Sequence, residues 1–167
     1  FVKENPENRC YYCKKAIFSA IINEAKKDGY RVLIDGTNAS DDENDRPGLK
    51  ALRELSVLSP LKECGLTKAD IRKESKEAGL FTWDKPAYAC LATRVATNEE
   101  ITTEKLSATE CAENYLFSLG FTDFRIRLKN GIGKIQLKEA QMPLIIKNRK
   151  RIFEFLKKYY DSVVLDL

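Results

Sequence analysis

The spacing of apolar residues predicts alternating helices and a strand in the first half of the chain. Between residues 11 and 27 apolar side chains recur at helical spacing, and Asp28-Gly29 marks the end of that helix. Residues 30–35 form a short β-branched run that predicts a buried strand. Helices are predicted over 49–55 and 68–79, the second opened by Thr67 with Asp70 as a capping box. A helix followed by a buried strand is one part of a βαβ unit. The first half of the chain is therefore predicted to be the remnant of a parallel α/β domain.

The second half predicts a smaller α+β domain. A polar bridge at 96–100 places the boundary near residues 95–100, which gives domains 1–95 and 96–167. A helix capped by Thr102 is followed by strands at 124–128 and 132–137, joined through Asn130-Gly131. A helical stretch at 139–158, broken at Pro143, and a strand at 162–167 complete an α-β-β-α-β order. The predicted fold class is therefore α/β, a parallel-sheet remnant followed by the smaller α+β domain.

The composition of the chain limits the classes of protein to which it can belong. The 167 residues, 43% of them hydrophobic, suffice for a sizeable core, and no apolar run approaches the length of a membrane span. Five irregularly spaced cysteines indicate a reducing compartment, so we expect a cytoplasmic protein without a membrane partner. The net charge of +4 is spread over helical faces, which argues against a nucleic-acid duplex as partner but suits small anions. The abrupt start at Phe1 predicts further residues upstream.

Three cysteines carry the clearest candidate chemistry. Cys10 and Cys13 form a Cys-x-x-Cys pair at a helix start, Cys90 lies far downstream, and the chain has no histidine. Such a pair can bind an iron-sulfur cluster, coordinate zinc or form a redox disulfide. The leading hypothesis is a cluster with three thiolates, because it leaves one iron open to a substrate or an extra sulfur atom. Zinc would want a fourth ligand from Cys64 or Cys111, the latter predicted to face the core, and buried free cysteines remain the simplest alternative.

The loop after the predicted strand has the composition of a nucleotide site. Parallel sheets bind ligands beyond the carboxyl ends of their strands, where this loop would lie. Its glycine, short donors, carboxylates and arginine suit a pyrophosphate with Mg²⁺, although an ordinary Asx-rich turn has the same composition. The candidates are Asp35, Gly36, Thr37, Asn38, Asp41, Asp42, Asp45 and Arg46.

Two further groups of basic residues accompany these sites. Lys85 and Arg94 flank Cys90 with positive charge, which favours its thiolate for ligation or attack. Arg125 and Arg127 alternate with apolar residues in a predicted strand, so both lie on one face, toward a phosphate or toward solvent.

Five blocks in order from Asn5 to Arg94 resemble the LarE-type ATP-dependent sulfur transferases of the PP-loop superfamily. They are Asn-Pro-x-x-Arg-Cys-Tyr-Tyr-Cys-Lys-Lys, Asp-Gly-Thr-Asn-x-Ser-Asp, Arg-Pro-Gly-Leu-Lys-Ala, Ser-Pro-Leu-x-Glu-x-Gly-Leu-Thr-Lys-x-Asp-Ile-Arg and Lys-Pro-Ala-x-Ala-Cys-Leu-Ala-Thr-Arg. A Gly-Phe-x-x-x-Arg-Ile-Arg strand extends the resemblance over essentially the whole chain. The family's Ser-Gly-Gly-x-Asp-Ser phosphate loop would lie upstream of Phe1, so we expect this chain by itself to be inactive.

The resemblance implies a function for the intact protein. With ATP and Mg²⁺ it would adenylylate a carboxylate of a pyridinium mononucleotide and install sulfur, toward the nickel-pincer nucleotide cofactor of lactate racemase. The branch with a Cys-x-x-Cys and one more cysteine implies a 4Fe-4S cluster on Cys10, Cys13 and Cys90. The resemblance also implies a homo-oligomer. It places Cys90 and a polar set around the substrate phosphate and sulfur donor, namely Arg94, Glu113, Arg125 and Arg127.

The sequence departs from the family in two places, and two other functions remain open. In the members of the family that sacrifice a cysteine, acids are expected at the position of Gln136 and near Leu144, and residues 94–98 replace the family's Arg-x-Pro-Tyr-Gly. A PP-loop enzyme of tRNA thiolation would bind RNA with a steep salt dependence. A zinc-stabilised module without catalytic activity would bind one zinc per chain and unfold on chelation.

Overall fold

The computed structural model describes residues 1–42 and 46–166, which pack as two compact units. Unit 1 contains Phe1–Val2 and Pro6–Lys85; unit 2 contains Lys3–Asn5 and the chain from Pro86 onward. The division after Lys85 precedes the compositional change at residues 95–100. Within the described ranges, no helix has the length and apolar character needed to cross a membrane.

Unit 1 is helical. Its helices are α1 (Arg9–Lys27), α2 (Pro47–Glu54), α3 (Pro60–Glu63) and α4 (Lys68–Glu77). A proline in the first turn begins both α2 and α3, where its missing N–H costs no helical hydrogen bond. The predicted capping box of α4 is confirmed, since the Thr67 hydroxyl accepts from the Asp70 N–H and the Asp70 carboxylate accepts from the Thr67 N–H. The sequence analysis did not predict the single turn of α3.

The core of unit 1 is small. Leu49, Leu52 and Val57 are buried, and Phe18 and Ile22 of α1 pack against them. The opposite side of α1 leaves Ile17 and Ile21 exposed. Unit 1 therefore buries one stripe of α1 rather than the whole helix.

The predicted buried strand at residues 30–35 is wrong for the described chain. Tyr30, Val32 and Ile34 are 68%, 64% and 64% exposed, and within residues 1–42 and 46–166 this run pairs only through an isolated parallel bridge between Ile34 and Leu58. The backbone bonds run from the Asp35 N–H to the Leu58 carbonyl (2.9 Å) and from the Leu58 N–H to the Leu33 carbonyl (3.0 Å). An apolar β-branched run forms a buried strand only where neighbouring strands pair with it on both sides. The parallel sheet of the predicted remnant is not formed by the described residues.

Unit 2 has the predicted α-β-β-α-β order. It comprises α5 (Thr103–Ser118), β1 (Arg125–Lys129), β2 (Ile132–Gln136), α6 (Met142–Leu156) and β3 (Ser162–Leu165). The sheet order is β1-β2-β3, antiparallel between β1 and β2 and parallel between β2 and β3. Asn130 and Gly131 both have positive φ (48° and 75°), as a two-residue hairpin turn requires. The helical stretch predicted over 139–158 is interrupted near Pro143 as expected: a 3₁₀ turn over Glu139–Gln141 precedes α6, and Pro143 lies in the first turn of α6, where proline is tolerated.

One face of this sheet packs on the helices and forms the larger core. Ile126 and Leu128 of β1, Ile135 of β2 and Leu116 of α5 are at most 6% exposed. Further members of this core are Ala112, Phe121, Phe124, Ile145, Ile152, Leu156 and Tyr160. The other face of β1 carries Arg125, Arg127 and Lys129, which confirms that the strand arginines share one side.

Candidate functional site

The three cysteines of the predicted metal site divide between the two units. Cys10 and Cys13 lie in the first turns of α1, three residues apart, with Cys10 exposed and Cys13 half-buried. An Arg9 amino group lies 3.7 Å from the Cys10 sulfur. Cys90 is exposed in unit 2 and directly precedes a 3₁₀ turn over Leu91–Arg94. Within the parts of either unit that are described, no three metal-binding side chains lie together.

The two remaining cysteines are also free thiols. Cys64 follows α3 and is exposed. Cys111 is exposed on α5, so its predicted place in the core is wrong. The inward positions of α5 are instead held by Thr109, Ala112 and Glu113.

The predicted nucleotide loop is closed by its own hydrogen bonds. The Asp35 carboxylate accepts from the Thr37 N–H (3.1 Å), the Thr37 hydroxyl (2.5 Å) and the Ser59 hydroxyl (2.7 Å). Burial opposes ionisation of Asp35, but these hydrogen bonds outweigh it and hold the pKa of that carboxyl below its ordinary value. The Asn38 side-chain oxygen accepts from the Ser40 N–H at 3.0 Å, as in an Asx turn, and the Asn38 N–H donates to the Asp41 carboxylate at 3.0 Å.

The rest of the loop carries the predicted arginine. Arg46 forms a 2.8 Å ion pair with the Asp41 carboxylate, and Gly36 is exposed. The predicted ligand Asp45 lies outside the described residues. A cavity of about 400 Å³ adjoins the loop through Thr37 and Ser59. Residues 35–41 therefore have the geometry of a polar turn at the edge of a cavity.

A buried ion pair joins two of the predicted site residues in unit 2. Arg94 donates to both carboxylate oxygens of Glu113, at 2.6 Å from Nε and 3.2 Å from Nη2, and both side chains are fully buried. The same carboxylate accepts from the Ile126 N–H at 3.0 Å and from the Tyr88 hydroxyl at 3.0 Å. Burial and the bond to Glu113 raise the pKa of Tyr88. Because its polar atoms are occupied inside the unit, Glu113 supports the chain around Cys90 from within.

The two strand arginines contact the same stretch of chain. Arg125 Nη2 donates to the Ala87 carbonyl at 2.7 Å, and Arg127 Nη1 donates to the Thr93 carbonyl at 2.6 Å. These carbonyls lie three residues before and three residues after Cys90. We call residues 87–94 the Cys90 segment. Its two ends are thus bonded to the arginine face of β1.

A cavity of about 600 Å³ in unit 2 opens next to this segment. Its basic lining residues are Arg94, Arg127, Lys129 and Lys134, and no carboxylate is among the described residues that line it. Lys134 lies directly opposite Arg127 across the β1–β2 pair. Burial and the neighbouring charges of Arg94 and Arg125 lower the pKa of Arg127. The Asp166 carboxylate pairs with Lys134 at 3.0 Å, and Arg127 Nε donates to Gln136 at 2.9 Å, so an anion in the cavity would add to the partners that these two cations already have.

Tyr88, Thr93 and Lys134 contribute to this site but were not predicted from the sequence. Tyr88 and Thr93 lie in the aromatic and basic stretch around Cys90, but only the fold shows which atoms they offer. Lys134 was one of many basic residues, and its position opposite Arg127 depends on the hairpin register. The Asn130-Gly131 turn fixes that register, so this turn is the feature of the sequence from which the position of Lys134 opposite Arg127 could have been predicted.

Comparison with known proteins finds relatives over the whole chain. It is 33% identical over 167 residues to pyridinium-3,5-bisthiocarboxylic acid mononucleotide synthase of Lactiplantibacillus plantarum, covering 99% of this chain and 60% of that enzyme. It is 40% identical over 144 residues to an uncharacterised protein of Synechocystis, covering 86% and 54% of the two chains. An uncharacterised protein of Methanocaldococcus jannaschii is 34% identical over 167 residues, covering 99% and 65%.

The chain spans between about half and two thirds of the length of these curated relatives. No protein-family model matches it. The similarity to the named synthase runs through both units and includes the Cys90 segment, since the alignment covers 99% of the chain.

Proposed function

We propose that the protein is a sulfur-transferring enzyme that makes a pyridinium thiocarboxylic acid mononucleotide for nickel-pincer cofactor biosynthesis. The observation that carries the proposal is the 33% identity, over 99% of the chain, to a synthase named for this product. The exposed Cys90, held beside a basic cavity, supplies a matching site. In the intact protein ATP would activate a substrate carboxylate as an acyl adenylate. Sulfide would then displace AMP, so that a C–S bond forms as a C–O bond breaks.

The cysteine donors suit a 4Fe-4S cluster. Cys10, Cys13 and Cys90 are free thiols, two of them exposed, and soft thiolates are the ligands that iron-sulfur clusters prefer. When bound by these three residues, the cluster would supply sulfide at an iron that has no protein ligand. The ordered loop at Asp35–Asn38 and Arg46 would contribute to the ATP and Mg²⁺ site of the intact protein.

The basic cavity fits the phosphate of the mononucleotide. Arg127, Lys129 and Lys134 line it without an acidic neighbour among its described lining residues, although Lys134 also pairs with Asp166 at 3.0 Å. Arg127 in addition contacts the Thr93 carbonyl, so the cavity borders the Cys90 segment. A phosphate bound here would lie next to the stretch of chain that carries the thiol.

Metal analysis of the intact protein tests the cofactor. Anaerobically reconstituted protein should hold about four irons and four sulfides per chain, as a 4Fe-4S cluster requires. Cys10→Ser, Cys13→Ser and Cys90→Ser should each lose the cluster and sulfur transfer, whereas Cys64→Ser, which removes an exposed thiol of unit 1, should retain both. One zinc per chain, or iron content unaffected by Cys90→Ser, would contradict the cluster.

Steady-state kinetics of the intact protein test the phosphate site. Lys134→Gln should raise the KM for the mononucleotide about tenfold and leave kcat nearly unchanged, because it removes a charge that contacts the bound substrate. Lys150→Gln removes an exposed lysine of α6 and serves as the matched control. An unchanged KM in Lys134→Gln would exclude the cavity as the phosphate site.

A further inference from the structure

Four contacts hold the Cys90 segment, two on each side of the cysteine. Before Cys90, the Ala87 carbonyl accepts from Arg125 and the Tyr88 hydroxyl donates to Glu113. After Cys90, the Thr93 carbonyl accepts from Arg127 and the Arg94 side chain donates to Glu113. On each side of Cys90, therefore, one backbone carbonyl accepts from a strand arginine and one side chain donates to the buried Glu113 carboxylate.

The donors of Arg125 are directed at protein atoms. Its Nη1 donates to the Phe124 carbonyl at 2.6 Å, its Nη2 to the Ala87 carbonyl at 2.7 Å, and the Asp123 carboxylate lies 3.9 Å from Nη1. Arg125 does not line the basic cavity, whereas Arg127 does. Its guanidinium thus joins the backbone just before β1 to the backbone at the start of the Cys90 segment.

Tyr88 completes the connection on this side. Tyr88 is 56% exposed as a residue, yet its hydroxyl reaches the fully buried Glu113, and the Arg94 guanidinium lies 5.5 Å from the ring centroid. A hydroxyl that reaches a buried carboxylate restricts the backbone two residues before Cys90. Arg125 and Tyr88 therefore fix adjacent residues by independent contacts.

We propose that Arg125 and Tyr88 are positioning residues for the Cys90 thiol. The inference rests on the proposed role of Cys90 in sulfur transfer, and it gives Arg125 a different task from the phosphate contact that the family resemblance implies. Arg127 contributes to both tasks, since it contacts the segment and lines the cavity. Rate enhancement that depends on orientation is lost when the reacting group is free to move, even if substrate binding is intact.

Backbone hydrogen exchange in the intact protein tests the contact directly. Arg125→Gln should increase the exchange rate of amides in residues 87–94 about tenfold, and Tyr88→Phe about threefold, as expected for losing a charged and a neutral hydrogen bond. Arg149→Gln removes an arginine that bonds the Ile146 carbonyl within α6 and should leave the segment unchanged. Tyr88→Phe removes a single oxygen and keeps the ring, so it remains informative if Arg125→Gln does not fold. Unchanged exchange in the folded variants would overturn the proposal.

Kinetics separate positioning from substrate binding. Both variants should lower kcat for sulfur transfer about tenfold or more, with the KM values for ATP and mononucleotide unchanged. A raised KM with unchanged kcat in Arg125→Gln would overturn the positioning role and make Arg125 a substrate ligand. Failure of the proposed function would look different: the wild-type protein would transfer no sulfur, while the exchange measurement would still decide whether these residues hold the segment.

Discussion

Glu113 accepts hydrogen bonds from two separate parts of unit 2 and belongs to a third. Its carboxylate meets Arg94 and Tyr88 from the Cys90 segment and the Ile126 N–H from β1, while Glu113 itself lies on α5. Breaking a buried ion pair by removing one partner is costly, because the other charge remains in a medium that solvates it poorly. A single side chain thus links a helix, a strand and a segment without regular structure.

Removing the Glu113 carboxylate should strongly destabilise unit 2. Glu113→Ala leaves the Arg94 guanidinium buried without its partner, and we expect a loss of about 3–5 kcal/mol in the free energy of unfolding. Glu110→Ala, one turn earlier on the exposed side of α5, should change it by less than about 0.5 kcal/mol. Urea unfolding of both variants measures the difference, and equal stability of the two would contradict the role assigned to the pair.

Asp35 should make stability depend on pH in the acidic range. Its folded-state pKa is lowered, so its hydrogen bonds contribute fully above the ordinary carboxyl pKa and are lost as pH falls through the folded value. The stability difference between wild type and Asp35→Asn should therefore be largest above about pH 5 and shrink below about pH 4.

Ser59→Ala tests whether the hydrogen bonds to the Asp35 carboxylate cause this pH dependence. It removes one donor to Asp35 and should reduce the acid-sensitive part of the stability without abolishing it. Unfolding experiments at several pH values give the comparison. A difference between wild type and Asp35→Asn that stays constant with pH would show that these bonds do not lower the pKa.

At the scale of elements, β2 depends on a glycine to accommodate an aromatic ring. Gly133 pairs with Leu128 of β1 and Val163 of β3, and a Cβ built on it would approach the Tyr160 ring to 2.8 Å. Tyr160 is 4% exposed and belongs to the core of the unit. The ring therefore has little room to move away.

Gly133→Ala should destabilise unit 2 by about 1–3 kcal/mol through overpacking. The cost should fall in a Tyr160→Leu background, because the smaller side chain leaves space for the added methyl group. A double-mutant cycle by urea unfolding measures this coupling. Additive effects of the two substitutions would place the strain elsewhere.

Local sequence signals predicted unit 2 better than unit 1. The Asn130-Gly131 turn and the Thr102 cap, whose hydroxyl accepts from the Lys105 N–H, act within a few residues, so their elements follow from the sequence. The 30–35 run failed because strand formation depends on partners elsewhere, and a single bridge to Leu58 is all that the described chain gives it.

The contacts within the candidate site also depend on partners far away in the sequence. The residue types at Cys90, Arg94, Glu113 and Arg127 were recognisable from the sequence, but their partners were not. The bonds between Arg127 and Thr93 and between Tyr88 and Glu113 join residues 34 and 25 positions apart. Such pairs depend on tertiary packing, which periodicity does not report.

At the scale of the whole molecule, the chain passes between the units more than once. Lys3–Asn5 belong to unit 2 although Pro6–Lys85 belong to unit 1. Asn5 donates to the Ala96 carbonyl at 2.8 Å and accepts from the Asn98 N–H at 2.9 Å, while the Ile101 N–H donates to the Lys3 carbonyl at 2.7 Å. Residues 76–90, where the chain enters unit 2 again, are exposed throughout.

Brief digestion with chymotrypsin should cut first within residues 76–86, at Phe81 or Trp83, because exposed backbone that tertiary contacts do not hold is the preferred substrate of proteases. The two fragments should elute together in native gel filtration and separate in denaturant, since the N-terminal fragment keeps its bonds to unit 2. Asn5→Ala should promote their separation. Fragments of the wild-type protein that separate without denaturant would show that these bonds do not hold them.

The four bonds on Glu113 have an evolutionary consequence. In many enzymes, active-site groups reduce stability, so selection for robustness and selection for turnover oppose each other. Here the carboxylate that stabilises unit 2 also holds the segment that bears the Cys90 thiol. Under the proposed function, both pressures favour the same residue at this position. Adaptive change would be directed to exposed cavity-lining residues such as Lys129, whose side chain does not hold the Cys90 segment.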